Sequence, residues 1–224
     1  DTAGPIEVES TLPSGPTAYA TLGAAFTAIN AGTHQGGINV EVCGNTSEGT
    51  SAILNSGAVA PASYSSVIVR PVGGARIIEG TITGAIIKLN GADNVTIDGR
   101  QGGVGTARDL TIRNNSTATA TAAIWLASVA AGNGATQNTI RNLELACGVD
   151  QSTGALATYG IIMSGTSITL STPRGLDNDN NAFINNRIVK SRYGIATNGD
   201  TENNNQSVTV TGNTIGPAAH GSYQ

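Results

Sequence analysis

The sequence is poor in charged and aromatic residues: Asp, Glu, Lys and Arg make up 12% of its 224 residues, and Phe, Trp and Tyr make up 4%. Its net charge is −4 and no stretch is basic, so it lacks the positive surface with which proteins bind a phosphate backbone. The few aromatic residues do not alternate with Lys or Arg, as they do in stacking platforms for single strands. We therefore expect no nucleic-acid partner.

Long apolar runs are also missing. No stretch approaches the roughly 20 consecutive apolar residues of a membrane-spanning helix, so we expect no membrane span. No charged segment followed by an apolar one opens the chain, so no signal peptide is visible. Low charge with abundant Ser, Thr, Asn and Gly is typical of exported bacterial surface proteins. We expect an extracellular or cell-surface protein whose signal peptide has already been removed.

Cysteine is scarce, with Cys43 and Cys147 the only two. In an array of stacked strands, residues meet only in neighbouring repeats, and these two lie about three repeats apart. A disulfide needs Cα atoms within roughly 7 Å, whereas each repeat adds about 4.8 Å. We therefore predict no disulfide, with both residues acting as small buried fillers.

What the sequence does contain is a repeated turn-plus-strand signature. Its four copies align Ile87, Ile124, Ile161 and Ile195 in steps of 37, 37 and 34 residues. A second signature, with apolar residues five positions apart around an Asn or Gly, begins at Ile140, Phe183 and Val210. Because the repeated units are short strands and not helix pairs, they predict an all-β fold. We predict a right-handed parallel β-helix (β-solenoid) of about six coils.

Three regions follow from the pattern. Residues 1–18, with the alternating segment at residues 6–9 among prolines, predict an extended arm and a linker. Residues 19–36 predict a capping α-helix and a loop, with Thr21 as N-cap. Residues 37–224 predict the β-helix, open at its C-terminal end. The helix rests on four apolar residues spaced i, i+3, i+4 and i+7, which are Leu22, Ala25, Phe26 and Ile29.

Several segments carry a resemblance to a known family. Residues 19–30 followed by residues 37–48 resemble the helix and first strand that open pectate-lyase-like right-handed β-helices. Residues 86–99 resemble the inner coils of that family, and residues 177–186 are similar to β-helix segments of large secreted bacterial surface proteins. The resemblance implies this fold and extracellular export. It implies no single activity, because the fold carries lyases, hydrolases, esterases and non-enzymatic adhesins.

One outer face of the repeats supplies the candidate glycan site. If the aligned Ile residues point inward, Lys88 and Trp125 point outward together, and they predict a small sugar platform with Arg192 near the same groove. A competing interpretation is that Trp125 only covers the surface beneath the loop at residues 148–158. This face has no carboxylate, so we predict no catalytic residues on it.

The run of Asp177, Asn178, Asp179 and Asn180 is the candidate metal site, with the two aspartates as calcium ligands. It lacks the spacing of an EF-hand. The competing interpretation is that these side chains cap backbone groups at a turn, as Asx residues usually do. We therefore predict no cofactor unless this run binds calcium.

Other polar residues predict structural roles. Asn142 and Asn185 recur at one position of the repeat and predict an internal ladder of stacked amides. His34 and His220 lack partners at the spacing of a catalytic triad or a zinc site. A further group of charges flanks a turn and predicts surface ion pairs, namely Asp93, Asp98 and Asp109 with Arg100 and Arg108.

The function that we predict is a non-catalytic structural or adhesive module of an extracellular bacterial surface protein. Its partners would be other copies of itself, the remainder of a longer surface protein, or glycans. In one variant, Ile6 and Val8 form a donor strand that completes the open coil near Gly221 and Tyr223 of a neighbouring copy, giving head-to-tail filaments. The alternatives are a polysaccharide lyase or hydrolase and a glycan-binding module that uses the outer groove.

Overall fold

The computed structural model describes residues 4–148 and 157–216, which hold one α-helix, α1 (Leu22–Asn30), a short 3₁₀ turn (Gln101–Gly103) and nineteen strands. The strands in chain order are β1 (Ile6–Leu12), β2 (Thr17–Tyr19), β3 (Gln35–Val42), β4 (Thr46–Glu48), β5 (Ala52–Asn55), β6 (Ser63–Pro71), β7 (Arg76–Gly80), β8 (Ala85–Asn90), β9 (Val95–Asp98), β10 (Leu110–Asn114), β11 (Thr121–Ala127), β12 (Thr139–Arg141), β13 (Leu143–Cys147), β14 (Thr158–Ser164), β15 (Ala182–Ile184), β16 (Arg187–Val189), β17 (Tyr193–Thr197), β18 (Thr209–Thr211) and β19 (Thr214–Ile215).

The strands form three sheets. The first has eight strands in the order β18-β15-β12-β9-β6-β3-β1-β2, the second has six in the order β19-β16-β13-β10-β7-β4, and the third has five in the order β17-β14-β11-β8-β5. From β3 onward, consecutive strands fall in the first, second and third sheet in turn. The pairing is parallel except at β1, which runs antiparallel to both β2 and β3.

The prediction of one right-handed parallel β-helix of about six coils is wrong. The hydrogen bonding divides into three separate sheets, the largest of which is mixed, and across residues 4–148 and 157–216 no pairing of these strands joins one sheet to another. A sequence repeat reports which strands lie side by side, because parallel neighbours carry like residues at like positions. It does not report how sheets join. The fold is therefore three mostly parallel sheets with one helix.

The alignment of the repeat is confirmed at the level of strand register. Ile124 pairs with Ile87 on one side and with Ile161 on the other, and Ile161 pairs in turn with Ile195. The second signature aligns in the same way in the first sheet, where β15 lies between β12 and β18. Like residues therefore stack on like residues from strand to strand.

The main core draws side chains from all three sheets and from α1. Ile97 of the first sheet, Leu145 of the second and Leu126 of the third are all fully buried in it. Burying one such side chain contributes roughly 1.5–3 kcal/mol to the free energy of unfolding. This shared core packs the three sheets against each other.

The predicted helix is present. Its apolar stripe is buried, and the Thr21 side chain accepts a hydrogen bond from the N–H of Ala24 at 3.1 Å, as an N-cap does. The carboxylate of Glu48 accepts the N–H groups of Leu22 and Gly23, so two further unpaired donors of the first turn are satisfied. Within the described ranges, no helix is long and apolar enough to cross a membrane.

The other end of α1 covers an edge of the third sheet, where β5 is the last strand. The Asn30 side chain donates to the carbonyl of Ile53 at 2.8 Å and accepts the N–H of Asn55 at 2.9 Å. A side chain here makes the hydrogen bonds that a further strand would make. The helix thereby protects an edge that would otherwise be open to pairing with another chain.

The N-terminal arm is part of the first sheet. Ile6 and Val8 are fully buried, and β1 is hydrogen-bonded to β3 on one edge and to β2 on the other. A donor role in a neighbouring copy would therefore require β1 to leave its own sheet. Gly221 and Tyr223, which the filament interpretation assigns to the same contact, lie outside the described residues.

The two cysteines are free, as predicted. Cys147 is fully buried beside the hydroxyl of Thr121, with Sγ and Oγ1 3.2 Å apart. Cys43 is only partly buried. The filler role therefore fits Cys147 better than Cys43.

Candidate functional site

The residues of the predicted sugar platform do share the outer face of the third sheet, because Lys88, Trp125, Ile162 and Ala196 are neighbours in register. The face is not open, however. Trp125 is only 8% exposed and Ile162 is fully buried. They belong to a second apolar cluster, separate from the main core, which we call the third-sheet cluster and which consists of Ala85, Ala122, Trp125, Ala127, Tyr159, Ile162, Ile168 and Ala196.

The end of β14 and the segment that follows it pack in one cluster with Trp125. The indole Nε1 donates to the Ser164 hydroxyl at 2.9 Å, and that hydroxyl donates to the carbonyl of Ser167 at 2.7 Å. Ile168, from the same segment, packs into the third-sheet cluster. A sugar ring needs an exposed aromatic face on which to stack, so Trp125 does not offer the predicted platform. Its contacts are those of a packing residue with a satisfied polar atom.

Lys88 sits between this cluster and solvent. Its Nζ lies 4.3 Å from the centroid of the Trp125 ring, which is the geometry of a cation–π contact. Burial lowers the pKa of the Lys88 ammonium from its usual value. The pairing of these two residues was predicted from their register, and the structure brings them together.

Arg192 lies immediately before β17 of the third sheet. Its guanidinium lies 5.1 Å from the ring centroid of Tyr193, and that ring stacks on Tyr159 at 5.1 Å. The sheet order separates β17 from β8 by three strand spacings, about 14 Å at about 4.8 Å each. Arg192 therefore does not join Lys88 and Trp125 in one site.

A polar groove of about 740 Å³ opens beside Lys88, between α1 and the third sheet. At its floor the Asn90 side chain donates to the Asn55 amide oxygen at 2.9 Å, across the paired strands β5 and β8. The sequence analysis did not predict this pair of asparagines. The signal that could have found it is the Leu-Asn dipeptide that ends both β5 and β8. Besides Lys88, the polar side chains that line the groove are Thr21, Thr27, Asn30, Glu48, Thr50, Ser51, Asn55 and Asn90.

The candidate calcium ligands point to different backbone groups. Asp177 accepts the N–H of Gly132 at 2.7 Å, and Asp179 accepts the N–H of Gln206 at 2.6 Å. Between them, the buried Asn178 accepts the N–H of Ala135 and donates to the carbonyl of Ser164. Calcium needs six to eight oxygens around one point, whereas these side chains satisfy donors on several neighbouring segments. Their arrangement fits the competing interpretation of Asx capping.

No group of three or more His, Cys, Asp or Glu side chains is placed to hold a metal ion in the part of the chain that the structure describes. The calcium interpretation therefore stays a prediction without a supporting geometry. Its two carboxylates already have hydrogen-bond donors.

The predicted pairing of Asp98 with Arg100 is confirmed, but its predicted place at the surface is wrong, and the pair is part of a larger group. The fully buried Asp98 carboxylate lies 2.8 Å from Arg100 Nη2, 3.0 Å from Arg141 Nη2 and 3.8 Å from Arg70 Nε. We call these three arginines around Asp98 the arginine cluster. Burial raises the pKa of Asp98, but hydrogen bonds from Arg100 and the nearby positive charges outweigh it, so the pKa lies below its usual value.

The prediction for Arg108 is not confirmed, since its guanidinium donates to the carbonyl and the side-chain amide of Asn185 instead of pairing with an aspartate. Arg70 and Arg141 were missed by sequence reasoning. The signal that could have found them is strand register, which places both arginines beside Asp98. Arg141 pairs with Asp98 directly, and Arg70 is the residue after Val69, which pairs with Ile97.

The amide ladder exists one position away from the predicted residues. Asn142 and Asn185 both have a φ of +53°, the left-handed conformation that Asn tolerates at corners. This conformation turns the next side chain inward. Asn186 accepts the N–H of Leu143 at 3.0 Å, and Asn213 accepts the N–H of Asn186 at 2.9 Å. The prediction of an internal amide ladder is therefore correct, but the ladder is formed by Asn186 and Asn213 and not by the predicted Asn142 and Asn185.

A second ladder of the same kind lies at the entrance to β9 and β12. Asn138 accepts the N–H of Val95 at 2.9 Å, and Asn181 accepts the N–H of Asn138 at 2.9 Å. Both amides are fully buried. Each link joins one strand to its neighbour in the first sheet.

His34 is fully buried where β1 and β2 meet the start of β3. Its Nε2 lies 2.7 Å from the Tyr19 hydroxyl, and its Nδ1 lies 3.2 Å from the Ser10 hydroxyl. Burial lowers the pKa of this histidine from its usual value. The group is a structural hydrogen-bond network. His220 lies outside the described residues.

Comparison with known proteins adds no identification: no protein-family model, no curated protein and no solved structure matches the chain. The resemblance to pectate-lyase-like proteins therefore stays a prediction.

Proposed function

We propose that the chain is a structural module of an extracellular surface protein, with a body stiffened by side-chain contacts between neighbouring strands and with no catalytic activity. The observation that carries this proposal is that the polar side chains form hydrogen bonds and ion pairs between neighbouring strands and segments. Most groups that sequence reasoning offered for chemistry bond to the next strand or to a neighbouring segment. A module that bears load or holds adhesive surfaces apart needs such links.

Ion pairs on the second sheet run from one strand to the next. Glu79 of β7 pairs with Arg113 of β10 at 2.6 Å, and Glu144 of β13 pairs with Arg187 of β16. The hydrogen bond from Arg113 lowers the pKa of Glu79. Each of these partly exposed pairs contributes only about 0.2–1 kcal/mol. Their direction matters more than their energy, because each pair opposes the sliding of one strand past its neighbour.

The buried amide ladders supply the stronger links. Asn138, Asn181 and Asn186 each accept a backbone N–H from an adjacent strand or corner. Such a hydrogen bond contributes about 0.5–1.5 kcal/mol, and leaving the buried donor unpaired costs about 1–3 kcal/mol. Strand separation therefore has to break backbone pairing and side-chain links together.

The extracellular part of the proposal is supported by composition alone, namely low charge with many Ser, Thr, Asn and Gly residues. The adhesive role is supported by the polar groove beside Lys88.

Single-molecule pulling between two marker domains tests the structural role. We expect resistance well above that of the marker linkers, with extension released in steps as successive groups of strands detach. Asn181→Ala should lower the unfolding force, and the matched control Asn204→Ala, at an exposed position, should leave it unchanged. Extension at low force without steps, for the unaltered chain, would contradict the proposal.

Catalysis is tested separately by incubating the chain with acidic and neutral polysaccharides and measuring released ends. We expect no release above that of a heat-denatured sample. Product that appears with the unaltered chain and disappears with Lys88→Ala would establish a lyase or hydrolase instead.

Glycan binding without turnover is a second candidate function, favoured by the groove of about 740 Å³, which is lined by hydroxyl and amide groups, the Lys88 ammonium and the Glu48 carboxylate. A glycan array followed by titration tests it. We expect Lys88→Gln to weaken binding roughly tenfold, the equivalent of one charge-assisted hydrogen bond. The exposed Lys190 provides the matched control, Lys190→Gln. Equal affinity of the two variants would place binding elsewhere.

A further inference from the structure

The arginine cluster has more positive charge than its carboxylate balances. Arg70 on β6 and Arg141 on β12 flank Asp98 on β9, and Arg100 joins them from the residues just after that strand. Three guanidinium groups share one carboxylate, which leaves two positive charges uncompensated within the group. Since the neighbouring residues Val69, Ile97 and Ile140 are buried in the main core, strand alternation places the cluster on the outer face of the first sheet.

Arg70 is the incomplete member. Arg100 donates from Nε and Nη2 to both carboxylate oxygens, and Arg141 donates from Nε at 3.0 Å. The Nε of Arg70 is buried, stays 3.8 Å from the carboxylate and has no hydrogen-bond partner among the described residues. A buried donor without an acceptor is destabilising, because it has lost its hydrogen bonds to water and has gained none in the protein.

On its other side, Arg70 has Glu41 of β3 as its register neighbour. No ion pair joins the two side chains in the described structure. Burial, followed by the charges of Glu9 and Glu7, raises the pKa of Glu41, so this carboxylate is itself poorly compensated. Among the described residues, Asp98 is the one carboxylate within ion-pair distance of the arginine cluster.

The cluster is nevertheless reachable from solvent. The side chains of Arg70 and Arg141 are 32% and 31% exposed, whereas the Asp98 side chain is 0% exposed. Asp98 holds the guanidinium groups in place. Arg100 is the least accessible of the three, with its side chain 15% exposed and its Nη1 donating to the carbonyl of Gly105 at 3.3 Å, so Arg70 and Arg141 present most of the accessible surface. Planar guanidinium forks match the oxygens of carboxylate and sulfate groups. A bound oxyanion would supply the missing acceptor and reduce the repulsion among the three cations.

We propose that Arg70, Arg100 and Arg141 form a binding site for one oxyanion, a carboxylate or sulfate, as a free ion or as a substituent of an acidic glycan. The site lies on the first sheet, apart from the groove beside Lys88 on the third. It does not depend on the structural role proposed above.

Titration followed by the arginine Nε–Hε signals in nitrogen–proton NMR spectra tests the proposal. The probes are sodium sulfate, sodium acetate and an oligogalacturonide, each at constant ionic strength set with chloride. We expect a saturable shift of the Arg70 signal with at least one probe. Tighter binding of the oligomer than of acetate would identify a glycan substituent as the ligand, and equal binding would identify a free-anion site.

Two variants separate binding from folding. Arg70→Gln should weaken binding roughly tenfold, as expected for loss of a charge-assisted contact. Because the Nε of Arg70 is a buried donor without a hydrogen-bond partner, Arg70→Gln should leave the melting temperature of the unaltered chain unchanged or raise it. The matched control is Arg113→Gln, which removes a part-exposed arginine already paired with Glu79 and should leave the affinity unchanged. No saturable shift with any probe, or equal affinity in Arg70→Gln, would overturn the proposal.

Discussion

The outer faces of the third and first sheets share the same parallel stacking of strands but present different chemistry. On the third sheet, Trp125 and Ile162 lie in one apolar cluster with a residue of the segment after β14. On the first sheet, the side chains of Arg70 and Arg141 are about one third exposed and surround a buried carboxylate. On both sheets, the inward-facing apolar side chains pack in the main core and stabilise the stacking of strands. The outward-facing side chains are not needed for this stacking, so they are apolar and buried on the third sheet and charged on the first.

The largest effect should follow from emptying the third-sheet cluster. Trp125→Ala should lower the free energy of unfolding by about 3–5 kcal/mol, because it removes a nearly buried indole and leaves a cavity. Chemical denaturation followed by circular dichroism measures it. Trp125→Phe keeps most of the volume and should cost much less. A loss below about 1 kcal/mol for Trp125→Ala would mean that the ring is an exposed platform after all.

Removing the carboxylate of the arginine cluster should have the next largest effect. Asp98→Asn leaves three guanidinium groups facing one another and should cost about 3 kcal/mol, the low end for breaking a buried pair, since the arginines are partly exposed. Glu79→Gln, at a partly exposed pair, is the control and should cost under about 1 kcal/mol. If both variants lose a similar free energy of unfolding, the buried carboxylate of Asp98 is no more important for stability than the partly exposed carboxylate of Glu79.

A smaller loss is expected from breaking a ladder of the first sheet. Asn181→Ala leaves the Asn138 N–H buried without an acceptor and should cost about 1–3 kcal/mol. Asn204→Ala, at an exposed position, should change the free energy of unfolding by less than about 0.5 kcal/mol. If both substitutions are neutral, the amide ladder is not a stabilising link.

The smallest effect belongs to His34, which lies in neither face. Its pKa in the folded chain is lowered by burial, so below the unfolded pKa of about 6.5 the unfolded chain binds the proton more readily. Stability from this group should be complete above that pH and should fall as pH drops from there toward the folded pKa. His34→Gln should flatten the stability profile between about pH 7.5 and pH 5.5. Identical slopes in the two chains would mean that His34 is not held neutral.

Sequence reasoning succeeded where one local rule decides the outcome. The i, i+3, i+4, i+7 spacing of Leu22, Ala25, Phe26 and Ile29 predicted α1, and like residues at Ile87, Ile124 and Ile161 predicted the strand register. In both cases the physical cause, a buried apolar stripe or column, leaves a direct trace in the residue order.

Sequence reasoning failed where contacts between residues far apart in the sequence determine the structure. Trp125 shares its cluster with Ile168, a residue from an irregular segment whose path no periodicity predicts. Arg70, Asp98 and Arg141 are separated by 28 and 43 residues, so unequal loops hide their common register. The three-sheet division and the antiparallel β1 depend in the same way on contacts that a repeat does not encode.

The most direct test of the central claim, that buried polar side chains link neighbouring strands, is amide hydrogen exchange. The N–H groups of Val95, Asn138 and Leu143 donate to asparagine side chains across the stack. They should exchange as slowly as the central strand amides, because opening them requires the strands to separate. Exchange as fast as that of the exposed loops would contradict the account.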